Sequence, residues 1–202
     1  MPRPREFDVD TALDRAVDVF WEHGYEGSSL TQLTEAMGIN KPSMYAAFGD
    51  KRQLFEKAVQ RYIANGPAWE MEAFTLPTAR EAATTFLHRT VDVVTSDRHP
   101  HGCLVVQGIG KCSPDNRPVR DYVAQQRANA VDVIRERFER AEVEGDPTMT
   151  SDPETLALLM AGLSEGIAVR ANDGVPPEKL HRMVDLAIRG AFAEPAHAVP
   201  AT

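Results

Sequence analysis

The segment from residue 28 to residue 48, SSLTQLTEAMGINKPSMYAAF, constrains the fold more than any other part of the chain. Its apolar residues recur every three or four positions on both sides of Gly38, which predicts two short helices joined by a tight turn. Such a turn needs a residue at positive φ, and Gly38 can adopt that conformation without steric cost. The residues spaced to lock the two helices together are Leu30, Leu33, Met37, Ile39 and Met44. A pair locked in this way is a helix-turn-helix, whose second helix can enter the major groove of DNA.

Helical punctuation continues along the rest of the chain, and no stretch shows the alternation that is typical of β-strands. We predict an all-α fold of about nine helices, at residues 8–23, 29–38, 40–48, 50–64, 78–96, 102–110, 116–143, 152–174 and 176–192. The sequence Asn65-Gly66-Pro67 breaks this pattern after the fourth helix. We therefore predict an N-terminal helix-turn-helix DNA-binding domain, with a three-helix core, at residues 1–64 and a larger helical domain at residues 65–202.

The charge of the chain is unevenly distributed. The chain has 22 Lys and Arg against 30 Asp and Glu, a formal net charge of −8, which argues against a nonspecific nucleic-acid coat. Between residues 40 and 62, however, five basic residues accompany only Asp50 and Glu56, so one face can still be positive. The sequence shows no membrane span and no signal peptide, and it has two cysteines. We therefore expect a cytoplasmic protein with no membrane partner.

The second helix of the pair has the surface that a recognition helix needs. Its outward residues are small or polar, so they leave room for base edges in the groove. Hydroxyl groups, a helix N-terminus and a lysine at the rim can bind backbone phosphates. The predicted DNA-contacting residues are Ser29, Thr31, Asn40, Lys41, Pro42, Ser43, Tyr45 and Lys51. The alternative interpretation is a helical hairpin inside an all-α core, because helix–Gly–helix patterns are common.

A set of residues between positions 20 and 55 stands at a characteristic spacing. Its members are Phe20, Gly24, Tyr25, Ser28, Ser29, Leu30, Leu33, Thr34, Ala36, Met37, Gly38, Ile39, Met44, Tyr45, Phe48, Lys51, Leu54 and Phe55. With these residues the chain resembles the N-terminal domain of the TetR/AcrR family of transcriptional regulators. The resemblance is strong over residues 6–64 and rests on helix number and order beyond them. One departure is Ala47, where many relatives carry a histidine, so Tyr45 and Lys51 are expected to carry more of the backbone binding.

The resemblance implies a homodimeric, ligand-responsive regulator, usually a repressor, that binds a palindromic or pseudo-palindromic double-stranded operator. A small-molecule effector would release it by changing the separation of two recognition helices, which must lie about 34 Å apart to reach successive major grooves. The domain at residues 65–202 would bind the effector and form the dimer. Mixed aromatic and polar residues suit an effector pocket among its helices. The predicted pocket residues are Trp69, Phe74, Phe86, Tyr122, Gln125, Phe138 and Met160.

The last two predicted helices are more apolar around their circumference than a lone surface helix needs. We predict that they pair with their copies in a four-helix interface under two-fold symmetry. The predicted interface residues are Leu159, Gly162, Leu163, Gly166, Leu180, Val184 and Ile188. The alternative is that these helices are buried inside one subunit.

Cys103 follows Gly102 at the start of the predicted sixth helix, where a helix N-terminus would favour the thiolate of a sensor. The alternative is a small buried hydrophobe. His99, His101, Cys103 and Cys112 lack the paired spacing of a zinc site, so we predict no metal and no cofactor. Gly110-Lys111 matches only the end of a phosphate-binding loop, and no catalytic motif is present, so we predict no enzyme activity. A thiol or metal sensor on the same scaffold, and a helical small-molecule-binding protein without DNA function, are the alternative functions.

Overall fold

The structure is a computed structural model that describes residues 7–66, 69–109 and 113–194, with the backbone alone at residues 69 and 70. In these ranges all regular structure is helical, apart from an isolated bridge between Met149 and Phe192. The helices are α1 Val9–Gly27, α2 Leu30–Met37, α3 Lys41–Phe48, α4 Lys51–Ala64, α5 Trp69–Ala73, α6 Ala79–Val94, α7 Leu104–Gln107, α8 Arg117–Glu144, α9 Pro153–Asn172 and α10 Pro177–Ala191, with a 3₁₀ turn at Pro114–Asn116. The all-α prediction is confirmed, and the short α5 is an addition to the predicted helices.

Three helices begin with the capping boxes that their sequences predict. At α2, the Ser29 hydroxyl accepts a hydrogen bond from the Gln32 backbone at 3.1 Å, and the Gln32 side chain accepts one from the Ser29 backbone at 2.9 Å. The N-termini of α4, capped by Asp50, and of α6, capped by Thr78, have the same reciprocal pair. Each cap satisfies backbone donors that have no partner within the helix, which contributes about 1 kcal/mol.

The chain forms two compact units, and the first combines residues 1–66 with residues 97–127. Its core contains large side chains from α1 to α4 with 2% or less of their surface exposed, namely Phe20, Leu33, Met44, Phe48, Leu54 and Phe55. Gly24 breaks α1 at φ 68° and ψ 174°, and the backbone N–H of Tyr25 donates to the Gly108 carbonyl at 2.7 Å. Residues 97–127 therefore pack with the N-terminal helices, although the sequence reading assigned them to the C-terminal domain. The division by function at residue 64 stays a prediction.

The second unit combines residues 67–96 with residues 128–202. In it α6 packs against both α9 and α10, and α5 packs against α6. Arg137 of α8 is buried and donates from Nη2 to the carbonyls of Leu76 at 2.8 Å and Pro77 at 3.3 Å, which ties the α5–α6 loop to α8. Burial lowers the pKa of this guanidinium. None of the described helices has both the length and the apolar character that crossing a membrane requires.

One part of the predicted dimer interface is wrong. Leu180, Val184 and Ile188 of α10 have only 2%, 1% and 4% of their surface exposed within a single chain. They therefore pack the core of the second unit and are not available to a partner. Periodicity had identified the apolar stripe of this helix correctly, but it could not show whether the stripe faces the same chain or another one.

Shortening Val184 should therefore destabilise the subunit. We expect Val184→Ala to lower the free energy of unfolding by about 2 kcal/mol, because it removes buried carbon atoms and leaves a cavity. The matched control is Val143→Ala in the same unit, where the side chain is 88% exposed and the change should stay within about 0.5 kcal/mol. Urea-induced unfolding at fixed protein concentration measures both. Equal stability of the two variants would contradict this packing of α10.

Candidate nucleic-acid interface

The turn between α2 and α3 has the predicted geometry. Gly38 lies at φ 67° and ψ 30°, in the left-handed region, and its backbone N–H donates to the Glu35 carbonyl at 3.1 Å. Ile39 N–H donates to the Thr34 carbonyl at 3.1 Å, which completes the C-terminal cap of α2. Any other residue at position 38 would be strained by this positive φ. The direction of α3 relative to α2 is thus set by the backbone.

Helix α3 divides cleanly into a buried side and an exposed side. Met44 and Phe48 lie in the core with 0% and 2% of their surface exposed, one helical turn apart. Lys41, Pro42 and Tyr45 are exposed, and Tyr45 keeps 49% of its surface in solvent. Of the other predicted base-reading residues, Asn40 is exposed and Ser43 is half-buried. The helix therefore presents a small, polar surface with one aromatic hydroxyl at its edge.

Two of the predicted DNA contacts also cap helices, and this limits what they can offer to DNA. The Asn40 Oδ1 atom accepts a hydrogen bond from the Ser43 backbone at 2.9 Å, so this side chain reaches outward with its amide donors. The Ser29 oxygen accepts from the Gln32 backbone, but its hydroxyl proton can still be donated to a phosphate. Thr31 is exposed in the first turn of α2, beside Ser29.

Lys51 is held at the start of α4 by an aromatic ring. Its Nζ atom lies 4.5 Å from the centroid of the Tyr25 ring, a cation–π contact. Burial lowers the pKa of Lys51, and the nearby carboxylate of Glu26 opposes that shift by favouring the charged form. Burial likewise raises the pKa of the Tyr25 hydroxyl. The sequence reading named Tyr25 only as part of a motif and missed its role in positioning this lysine.

The other basic residues near α3 play different parts. Lys57 donates from Nζ to the Phe48 carbonyl at 2.9 Å and so closes the C-terminal end of α3. Arg61 forms an ion pair with Asp14, with donor–acceptor distances of 2.7 and 3.0 Å. Their charges therefore serve the fold. Of the other three bases between residues 40 and 62, Lys41 is exposed, Lys51 lies over the Tyr25 ring, and Arg52 lies 3.9 Å from Glu56. The sequence reading had counted all five bases alike.

The predicted effector residues do not belong to one compact unit. Phe74, Phe86, Phe138 and Met160 are buried in the second unit, with 8%, 8%, 1% and 0% of their surface exposed. Tyr122 and Gln125 belong to the first unit, where the Tyr122 hydroxyl donates to the Glu56 carbonyl at 3.2 Å. The side chain of Trp69 lies outside the described residues. Three of the predicted residues, Tyr122, Gln125 and Phe138, lie on α8, whose 28 residues extend through both units. Apolar periodicity along one helix could not show that they belong to different units.

An open depression of about 170 Å³ lies in the second unit. It is lined by Glu72, Ala73, Leu76, Thr85 and Arg89, on α5, α6 and the loop between them. None of the residues predicted to line the effector pocket contributes to it. The pocket prediction for the four buried side chains of this unit stays a prediction.

The other residues predicted for the dimer interface, all on α9, are exposed or half-buried. Leu159 and Gly162 of α9 are exposed, while Leu163 and Gly166 are half-buried. A Cβ atom added to either glycine would meet no atom within 4 Å. The large apolar side chains exposed on α9 and α10 are Leu158, Leu159, Val169 and Leu186, with 55%, 43%, 40% and 68% of their surface in solvent. We call these four residues and the two glycines the apolar face.

Cys103 is half-buried and immediately precedes α7. The predicted helix at 102–110 is only a single turn, Leu104–Gln107, and the Gly108 carbonyl that follows it accepts a hydrogen bond from the Tyr25 backbone. Its dipole is correspondingly small. The Tyr62 hydroxyl lies 3.4 Å from the Cys103 sulfur and donates to it. The sequence alone did not predict this contact between positions 41 residues apart.

Three of the four residues considered for a metal site, His99, His101 and Cys103, lie within the described part of the chain. His99 stacks on Trp21 with ring centroids 4.6 Å apart. Cys112 lies outside the described residues, as does Gly110-Lys111, the remnant of a phosphate-binding loop. Among the residues that the structure does describe, no group of three or more His, Cys, Asp and Glu side chains is arranged to hold a metal ion.

Comparisons with known proteins agree with this geometry. Residues 12–58 match the family model for bacterial regulatory proteins of the tetR family. The chain is 30% identical over 189 residues to the HTH-type transcriptional repressor ComR of Escherichia coli, covering 93% of this chain and 90% of ComR. The repressor BdcR of the same organism is 26% identical over 182 residues, covering 88% of this chain and 86% of BdcR.

A solved structure shows the same similarity over the whole fold. It contains a cysteine mutant of the TetR family transcriptional regulator CifR complexed with 26-bp double-strand operator DNA. Its chain is 44% identical to this one with a TM-score of 0.88, covering 93% of this chain and 98% of that chain. The match extends through both compact units, so it includes the α2–α3 pair and the helices that follow it. This chain therefore belongs to the TetR family of bacterial transcriptional regulators, which are DNA-binding proteins and not enzymes.

Proposed function

We propose that this chain is a homodimeric, ligand-responsive transcriptional repressor that binds a two-fold symmetric operator. The observation that carries the proposal is the division of α3, which buries Met44 and Phe48 and exposes Lys41, Pro42 and Tyr45. The similarity to ComR, a repressor, and to CifR, a regulator complexed with operator DNA, supports both the direction of regulation and the DNA partner. The alternative of a helical protein without DNA function lacks support from either comparison.

In this proposal the exposed side of α3 reads bases. Asn40, Lys41 and Ser43 lie over base edges in the major groove, where an amide, an ammonium and a hydroxyl can pair with their donors and acceptors. Pro42 offers an apolar contact of the kind that fits a thymine methyl group. The phosphate contacts come from Ser29, Thr31, Tyr45 and Lys51, at the two ends of the pair.

The second copy binds at the apolar face. Two recognition helices reach successive major grooves only if a dimer holds them about 34 Å apart. The apolar face is the surface of α9 and α10 that one chain leaves uncovered, and Gly162 and Gly166 permit close approach of a second helix. In the proposed dimer, the partner contacts the apolar face and not Leu180, Val184 and Ile188, which the sequence had predicted as interface residues.

Helix α8 offers a route by which an effector can act on DNA binding. Its residues up to 127 belong to the first compact unit, and its residues from 128 onward belong to the second. A ligand that binds the second unit and displaces α8 would therefore bias the elements that pack beside the DNA-binding helices. Such a ligand changes operator affinity only through its different affinity for the two arrangements.

Lys51→Ala should weaken binding to all DNA sequences alike, because it removes a phosphate contact. We expect the slope of log affinity against log salt to fall by about 0.9, the value for one phosphate. Lys179→Ala, at an exposed lysine of α10, is the matched control and should leave both affinity and slope unchanged. Lys41→Ala should instead alter the base preference recovered from a random DNA pool. Fluorescence anisotropy across a salt series on selected and scrambled DNA measures these effects, and an unchanged slope for Lys51→Ala would rule out this contact.

Leu186→Glu should dissociate the dimer, because it places a charge on the apolar face at its most exposed side chain. We expect sedimentation velocity at micromolar concentration to show a dimer for the native chain and a monomer for this variant. Val143→Glu, which introduces the same charge at a site that is 88% exposed, is the control and should remain dimeric. A native chain that sediments as a monomer would remove the proposed interface.

A thiol sensor on this scaffold is the second candidate, and the Tyr62–Cys103 hydrogen bond is the observation that favours it. Tyr62→Phe should change the rate at which a small maleimide labels Cys103, because it removes the hydroxyl that hydrogen-bonds to the sulfur. Cys103→Ser, measured in parallel, reports labelling at other sites. Two results together would contradict the sensor: maleimide labels the native chain as slowly as it labels a buried thiol, and oxidant leaves the DNA affinity unchanged. Cys103 would then be a packing residue.

A further inference from the structure

Two helices of the second unit carry the same short pattern, a histidine followed four residues later by an aspartate. The pattern is His88 and Asp92 on α6, and His181 and Asp185 on α10. Residues four apart lie on one face of a helix, one turn above the other. Because α6 and α10 pack against each other, both patterns can meet across the helix pair.

The four side chains form a continuous chain of polar contacts. The Nδ1 atoms of His88 and His181 lie 2.7 Å apart. The Nε2 atom of His88 lies 3.1 Å from Asp185 Oδ1, and the Nε2 atom of His181 lies 3.2 Å from Asp92 Oδ1. Each histidine therefore contacts the aspartate of the opposite helix, and the rings are nearly parallel, with an interplanar angle of 22°.

This arrangement fixes how the two imidazoles use their nitrogens. A carboxylate accepts a hydrogen bond, so each Nε2 carries the proton that its aspartate needs. In the neutral tautomer, the Nδ1 atom of each ring is then left with a lone pair, and the two lone pairs point at each other. Two lone pairs at 2.7 Å repel each other unless a cation lies between them.

A carboxylate behind each histidine is also the usual environment of a metal-bound imidazole. There the outer N–H donates to a carboxylate, which orients the ring and makes the other nitrogen a better ligand. Here both rings have this support, and both Nδ1 atoms face the same point. The buried residues of α9, which packs on α6 and α10, are apolar.

We propose that His88 and His181 bind a divalent transition-metal ion of the type that prefers imidazole, such as Zn²⁺, between their Nδ1 atoms. Tetrahedral bonds of about 2.0–2.1 Å require the two nitrogens to stand roughly 3.3 Å apart, so the rings must separate by about 0.6 Å. The His88 and His181 side chains are 29% and 31% exposed, so the ion can enter from solvent and water can complete its coordination. Asp92 and Asp185 remain hydrogen-bonded behind the ligands.

The bound ion would add a further link between α6 and α10, which the two His–Asp contacts already join. This site differs from the His99, His101, Cys103 and Cys112 set considered from the sequence, because its two ligands come from distant parts of the chain. It also differs from the proposed DNA-binding function, since none of its residues belongs to α2, α3 or the apolar face. The two proposals can therefore fail independently.

Isothermal titration of the untagged, full-length protein with Zn²⁺ tests the site. We expect one ion per chain and a rise of about 5 °C in Tm at saturation. His88→Ala and His181→Ala should each abolish this binding. His101→Ala is the matched control, because His101 also contacts an aspartate, Asp97 at 3.4 Å, but is 42% exposed and faces no second histidine in that contact.

A further variant keeps the test decisive if a histidine variant folds poorly. Asp185→Asn retains both ligands and removes only the outer carboxylate, and it should weaken Zn²⁺ binding by about 10–100-fold. Zn²⁺ binding that is equal in the native chain, Asp185→Asn and His101→Ala would overturn the proposal. A native chain that binds no Zn²⁺ would overturn it as well.

Discussion

The locked turn between α2 and α3 is the constraint on which the rest of this molecule depends. Gly38 holds the positive φ that lets the chain reverse, and Leu33 and Met44 are buried without any exposed surface on either side of it. They join a core built around Phe20 and Phe55, whose rings meet edge to face at 5.0 Å. Because these contacts determine which side of α3 faces inward, they also determine which residues remain available to DNA.

A second segment of the chain reinforces this domain. The backbone hydrogen bond from Tyr25 to Gly108 joins the end of α1 to the segment that follows α7. It is possible because Gly24 adopts a positive φ and leaves room beside the Gly108 carbonyl. Glu26 adds a hydrogen bond from the Asn116 amide at 2.6 Å, which lowers the pKa of its carboxylate. The helix-turn-helix is thus built on residues up to 66 and supported by residues 97–127.

The sequence predicted the elements well because their causes are local. The capping boxes at Ser29, Asp50 and Thr78 and the turn at Gly38 depend on residues within five positions of one another, and each was found as expected. Apolar periodicity likewise identified the buried stripe of α10. It could not assign Val184 to the core of its own chain, because a stripe has the same pattern whether its partner is the same chain or a second one.

Contacts between distant residues explain the other differences. The pairing of Lys57 with the end of α3 and of Arg61 with Asp14 removes charges that looked available for DNA. Tyr122 and Phe138 share a helix but belong to different compact units, because α8 is long enough to serve both. The contact between His88 and His181 joins positions 93 residues apart, so no spacing rule could have indicated it.

The central claim is that α3 reads a symmetric DNA site as part of a dimer, and footprinting tests it most directly. Genomic fragments retained by the purified chain would be sequenced, and hydroxyl-radical footprinting would map the protected backbone on one of them. The account predicts two protected half-sites related by two-fold symmetry, with centres about 10 bp apart or a multiple of that spacing. Retention without a common sequence, or a single protected patch without symmetry, would contradict it.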